Sequence, residues 1–209
     1  MATAMVTIYY SSSEKGFFDV AIAHAGDTVM KKIATSLPGV FIVEPRIFTD
    51  VRGFFLETYN QRTMAELGIT EAFVQDNHSF SAHNVLRGLH YQLERPQGKL
   101  VRVVVGEVLD VAVDLRKNSA TFGKWEAIRL SGENKRSLWI PAGFAHGFLV
   151  RSDGAHVLYK VTDFYSPELE RTIAWNDPDL KIDWKLQGEP VISAKDQRGT
   201  LFRDAEKFE

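Results

Sequence analysis

The stretch Val85-Leu86-Arg87-Gly88-Leu89-His90-Tyr91-Gln92 sets an arginine and a histidine three residues apart, beside a glycine that can bend a strand. Histidine can act as a base near neutral pH, but a histidine among apolar residues can equally be a hydrogen-bonded structural group. His146, inside Ala142-Gly143-Phe144-Ala145-His146-Gly147, carries the same two readings. Lys99 shares one face with Val101, Val103 and Val105 at period two. A lysine on an apolar face is costly unless paired or used, although at a strand end it can snorkel to water. The alternation leaves both open. Tyr159 falls on the face of Val157 and Val161, and Lys160 on the opposite one with His156 and Leu158. Asp196, in Ser193-Ala194-Lys195-Asp196, either orients a histidine or is simply solvated in a polar tail. These residues amount to an Arg/His/Lys/Tyr set suited to moving protons and steadying negative charge.

Composition narrows the chemistry further. The 209 residues include no cysteine, which excludes disulfides, thiolate nucleophiles, zinc fingers and iron–sulfur clusters. The six histidines form no His-x-His pair, and the spacings His78/His83 and His83/His90 do not suit a strand-borne metal site. No catalytic metal is therefore expected. No Gly-x-Gly-x-x-Gly follows a strand and opens a helix, so no redox cofactor is expected either. A formal net charge of -2 gives no basic field for nucleic acid or an anionic membrane. Any grip on phosphate must come from a few local Arg and Lys side chains. No apolar run is long enough to span a bilayer, and residues 1–19 lack the basic end and apolar stretch of a secretory signal. A cytoplasmic location is the expectation.

These groups need a scaffold. The length suits one domain with a substantial core, and two small domains are also compatible with it. Val40 to Val43 reads as a strand limited by Pro45, and Asp50 to Gly53 as a turn before a short strand from Phe54 to Tyr59. Asn60 caps a brief helix over Gln61 to Leu67, which Gly68 stops. Lys99 to Val105 and Leu109 to Leu115 alternate on either side of a tight turn at Gly106-Glu107. Strands over Ser137–Ile140, Phe144–Val150 and Ala155–Thr162 follow, separated by Pro141-Ala142-Gly143 and Ser152-Asp153-Gly154. Short strands with Gly and Pro punctuation indicate an antiparallel sandwich or barrel. Residues 1–30 show little periodicity and read as a peripheral extension, with order expected to begin near Ile33. Residues 31–209 read as a single domain with a polar, peripheral tail from Gln197.

Longer motifs carry a resemblance. They are Asp50-Val51-Arg52-Gly53-Phe54-Phe55-Leu56-Glu57, Gln75-Asp76-Asn77-His78-Ser79, the Val85–Gln92 stretch, Gln97-Gly98-Lys99-Leu100-Val101-Arg102, Ile140-Pro141-Ala142-Gly143-Phe144-Ala145-His146-Gly147, Tyr159-Lys160, Pro167-Glu168 and Ser193-Ala194-Lys195-Asp196. In order and spacing, from about Ile33 to Asp196, the chain resembles the dTDP-4-dehydrorhamnose 3,5-epimerase family. The resemblance implies an all-β, cupin-like jelly-roll barrel with a few short helices, working as a homodimer without cofactor. It implies conversion of dTDP-4-dehydro-6-deoxy-D-glucose to dTDP-4-dehydro-L-rhamnose. It further implies His90 as general base with Asp196 as partner, Tyr159 as acid on the opposite face of the sugar, and Lys99 steadying charge on the C4 oxygen. Arg52, Glu57, Gln75, Asn77, Arg87, His146, Tyr165, Glu170 and Lys195 are implied substrate contacts. A related sugar-nucleotide 5-epimerase or ketoisomerase fits the motifs nearly as well. A non-catalytic binding protein would need neither acid nor base, and a metal-dependent cupin oxygenase would need ligands this sequence lacks.

Overall fold

A computed structural model of the chain describes residues 8–12, 18–22 and 29–209. Of these, 8–12, 18–22, 29–31 and 45–69 form one compact unit, and 32–44 with 70–209 form a second, larger one. The chain begins with β1 (Ile8–Ser12) and β2 (Phe18–Ile22), an antiparallel pair, followed by β3 (Met30–Ala34), β4 (Phe41–Pro45), β5 (Phe48–Asp50), β6 (Gly53–Phe55) and the helix α1 (Gln61–Leu67). Next come β7 (Gln75–Ala82), β8 (Val85–Gln92), β9 (Lys99–Val105), β10 (Glu107–Asp114), β11 (Trp125–Ser131) and β12 (Ser137–Ile140). The last strands are β13 (Phe144–Val150), β14 (Gly154–Val161), β15 (Glu170–Thr172) and β16 (Val191–Ile192), before a 3-10 turn at Asp196–Arg198. Among the described residues no helix is long and apolar enough to cross a membrane.

In the smaller unit, α1 follows its local signals. The Asn60 side chain accepts from the N–H of Arg62 at 3.0 Å and of Thr63 at 3.5 Å. Gly68, at φ +98°, donates to Ala65 O, and Ile69 donates to Met64 O, which closes the last turn. The strand expected over Phe54–Tyr59 stops at Phe55 instead. Beyond it, Glu57 is drawn to the helix start, accepting from Asn60 Nδ2 at 3.1 Å and from Thr63 Oγ1 at 3.4 Å. β3 opens at Met30, which is buried. Much of the expected extension lies outside the described residues.

The larger unit is built from two antiparallel sheets. One runs β11-β10-β13-β8-β15, with β16 added parallel to β8; the other runs β3-β4-β12-β9-β14-β7. Val101, Val103, Leu138 and Val157 from the second sheet meet Val108, Ala112, Phe144 and Phe148 from the first in one apolar cluster. This is the face-to-face packing of a jelly roll, so the fold is all-β and cupin-like. Gly106 is a corner where the chain leaves one sheet for the other, not a hairpin turn, because β9 and β10 pair with different neighbours. The first sheet is covered on its other face too: Leu86, Val111, Val113 and Leu149 pack with Leu180 and Trp184. Phe202, Ala205 and Phe208 join that cluster, so the tail expected to be peripheral is part of the packing.

One irregularity decides where side chains point. Gly88 sits at φ +121°, and a Cβ there would stand 2.5 Å from the Cα of Gly147 on β13. The register slips at this contact, with His90 opposite His146 but Arg87 opposite Phe148. In an uninterrupted strand, residues three apart face opposite sides. The bulge changes that parity: Leu86, Leu89 and Tyr91 all join the outer cluster, while Arg87 and His90 both turn inward.

Replacing Asn60 by Ala is expected to lower the unfolding free energy by about 1 kcal/mol, and Asn60→Ser, which keeps a capping oxygen, to retain most of it. Urea unfolding of the two variants measures this, and equal losses would show that the cap is not what matters.

Candidate active site

The inner faces of the two sheets enclose a cavity of about 370 Å³ in the larger unit. Arg87, His90 and His146 project from the first sheet, and Lys99, Tyr159, Gln75, Asn77 and Ser79 from the facing one. Tyr165 and Glu170 complete the lining. A concave, partly apolar site with convergent polar groups is the usual setting for small-molecule chemistry.

His90 Nε2 lies 2.5 Å from Asp196 Oδ1. Asp196 sits on the 3-10 turn, is 3% exposed, and also accepts from the backbone N–H of Gly88. It is therefore the orienting partner and not a solvated tail residue. Burial pushes the Asp196 carboxyl up, but the hydrogen bond and charge of His90 outweigh it and hold it below the usual carboxylate range. The contact fixes the imidazole and leaves its other ring nitrogen to exchange protons. His146 has a carboxylate of its own, with Nε2 2.9 Å from both oxygens of the fully buried Asp110. Sequence reasoning missed Asp110. The signal was an acid inside the apolar run Val108 to Val113, a position that is costly without a partner.

Lys99 does not snorkel. It is 8% exposed, and its Nζ donates a long hydrogen bond to His90 O at 3.4 Å. Burial pulls its ammonium down to about 8, against the opposing attraction of Glu170 and Asp110. Tyr159 points inward, as the alternation predicts, with Val157 buried beside it. Burial raises its phenol above the usual range, with the charge of Arg87 working the other way. The hydroxyl thus stays protonated and able to donate.

The remaining residues form a polar surround. Gln75 Nε2 donates to Asn77 Oδ1 at 2.8 Å, and Gln75 Oε1 accepts from Tyr165 N at 3.1 Å. Arg87 Nε donates to Ser81 Oγ at 2.9 Å. Glu170 Oε2 accepts from Tyr165 OH at 2.8 Å and from Lys195 Nζ at 2.7 Å. Burial, reinforced by that bond to Glu170, lifts the Tyr165 phenol to about 12. Ser79 Oγ is a second group that sequence reasoning passed over. Among the described residues it is the buried side-chain oxygen without a partner, and Ser79 lines the cavity. Arg52 and Glu57 belong to the smaller unit, where Arg52 pairs with Asp50 and Glu57 is tied to the start of α1. Among the described residues, His, Asp and Glu nowhere converge in threes as metal ligands would.

Comparison with known proteins agrees with the motifs. The family model described as dTDP-4-dehydrorhamnose 3,5-epimerase matches residues 34–204. A Pseudomonas aeruginosa dTDP-4-dehydrorhamnose 3,5-epimerase is 61% identical over 180 residues, which is 86% of this chain and 99% of the relative. A Legionella pneumophila dTDP-6-deoxy-D-glucose-3,5-epimerase, solved in complex with dTDP-4-keto-L-rhamnose, superposes with a TM-score of 0.82 at 52% identity, covering 85% of this chain and 95% of that one. The fold also extends to a 3'-monoepimerase from Streptomyces bikiniensis solved with dTDP-quinovose, at 31% identity, TM-score 0.77, and 82% and 87% coverage.

Burial of Lys99 makes a direct prediction. An NMR titration of labelled lysines is expected to show one ammonium with a midpoint at about 8, absent in Lys99→Met. All lysines titrating near their ordinary value of about 10.4 would contradict it.

Proposed function

Because the chain belongs to the dTDP-4-dehydrorhamnose 3,5-epimerase family, we propose that it inverts C3 and C5 of dTDP-4-dehydro-6-deoxy-D-glucose through an enolate, with His90 as base and Tyr159 as acid. The chain is thus an isomerase, and the product of the proposed reaction is dTDP-4-dehydro-L-rhamnose, an intermediate in making dTDP-L-rhamnose. The observation that carries this reading is the meeting of the His90–Asp196 pair from one sheet with Lys99 and Tyr159 from the facing sheet.

The chemistry follows from that arrangement. A proton on the carbon beside a ketone is weakly acidic, and its removal sends the C–H electron pair onto the C4 oxygen. His90 takes the proton on the ring nitrogen that Asp196 does not engage, and the Asp196 carboxylate stabilises the imidazolium. The Lys99 ammonium, held on a buried stem, steadies the developing enolate. Tyr159 then gives its phenolic proton to the carbon from the other side, and the configuration inverts. Proton exchange with solvent resets His90 and the tyrosinate before the second carbon reacts. Each positioned transfer contributes about 10²- to 10⁴-fold. His146, held by Asp110, serves as a further polar contact on the His90 wall.

In the larger unit the substrate contacts are Gln75, Asn77, Arg87, His146 and Tyr165, with the Arg87 fork suited to the diphosphate. Ser79 joins them, since its hydroxyl has a hydrogen bond to give. We further propose that the enzyme works as a homodimer in the cytoplasm.

Incubation with the keto-sugar nucleotide in deuterated water tests the reading. Deuterium is expected at both C3 and C5 of the product. Label at one carbon alone would identify a monoepimerase, as the Streptomyces relative is named, and no label would remove the enolate. His90→Ala is expected to slow exchange at both carbons by about 10³-fold or more, and near-normal exchange would show that the base is another group.

A further inference from the structure

Glu170 and Lys195 were read from the motifs as substrate contacts, but their geometry points to a different task. The two are already bonded to each other at 2.7 Å. Lys195 immediately precedes Asp196, the residue that holds the His90 imidazole. Glu170 opens β15, opposite Gln92 on β8, the strand that carries His90. The short segment bearing Lys195 and Asp196 is anchored upstream by the parallel pairing of β16 with β8, which sets Val191 opposite Val85 and Ile192 opposite Leu86, and downstream to β15 by Thr200 N–H to Thr172 O at 2.9 Å. Between those anchors, its hydrogen bonds to the site include Asp196 to His90 and to the Gly88 N–H, and Lys195 to Glu170.

We propose that the Glu170–Lys195 ion pair is a positioning device that fixes the Asp196 turn against His90, and that Glu170, by also holding the Tyr165 hydroxyl, ties this turn to Tyr165 in the cavity wall. The inference rests on the reading of His90 as the base. Lys195 is half exposed, so the pair adds little to global stability. Its value lies in geometry, because a displacement of about 1 Å at a catalytic group can cost on the order of 10²-fold in rate. A lysine already neutralised by Glu170 is also a poor partner for phosphate. Glu170 is in turn held below the usual carboxylate range, where hydrogen bonds from Lys195 and Tyr165 overcome the upward push of burial.

The test uses the full chain with Lys195→Met, Lys195→Arg, Glu170→Gln and the Glu170→Gln/Lys195→Met double variant. Lys195→Met is expected to lower kcat about tenfold or more and to leave KM within about threefold. Lys195→Arg should recover most of the loss, since it keeps the charge. The double variant should be no worse than the poorer single one, as for two residues acting through one contact. The His90 imidazole N–H proton bonded to Asp196, read by 1H NMR, should shift upfield or broaden in Lys195→Met, because its carboxylate partner has moved. A KM raised about tenfold with kcat unchanged, additive losses in the double variant, or an unchanged imidazole N–H signal would each overturn the proposal. If the unmodified chain lacks epimerase activity, the function proposed above fails, and the imidazole N–H signal still decides whether the pair positions the turn.

Discussion

The close approach of Gly88 and Gly147 is the contact on which the site depends. Two strands can meet this tightly only where neither carries a side chain, and the price is a slipped register. That slip places Arg87 and His90 on the same side of β8 although they are three residues apart. Without it, one of them would point into the outer cluster with Leu86 and Leu89, where an imidazole or guanidinium would stand unsatisfied. The same stretch of backbone supplies the Gly88 N–H to Asp196, so the feature that turns His90 inward also helps to hold its partner.

Around this contact the two sheets divide the labour. The first, apolar on both faces, presents a pair of histidines that are cross-strand neighbours, each bonded to a buried carboxylate. The second presents a buried lysine and a half-buried phenol. Burial has opposite consequences for these two. It destabilises the charged form of each, so Lys99 is drawn towards neutrality while Tyr159 is held in its protonated, donating form. Lys99 keeps a charge at neutral pH because Glu170 and Asp110 offset part of that cost.

Much of this was readable before the structure. Asn60 and Gly68 bound α1 because caps are local signals. Ser137–Ile140 and Phe144–Val150 match β12 and β13 because Pro141 and Gly143 interrupt the chain between them. The inward faces of Lys99 and Tyr159 follow from regular alternation. What stayed hidden depends on distance in space. The edge strand β7 carries polar residues on both faces, Gln75, Asn77 and Ser79 towards the cavity and Asp76 and His78 outward, and so lacks an apolar signature. β10 and β13 are buried on both faces, so period-two logic could not separate inside from outside for Asp110 or His146. The roles of Phe202 and Phe208 depend on the sheet they cover, which no local pattern in a polar tail reveals.

The central claim is that inversion is carried out by two groups on opposite walls, and Tyr159→Phe tests it most directly. Phenylalanine keeps the ring and its packing and removes only the hydroxyl. Abstraction by His90, with Lys99 steadying the enolate, should continue, and His90 should return protons to its own face. In deuterated water the substrate is then expected to acquire solvent deuterium without changing configuration, so that epimer formation falls far more than exchange does. Equal losses of exchange and epimerisation, or no loss of either, would contradict a two-walled reaction with Tyr159 as its acid.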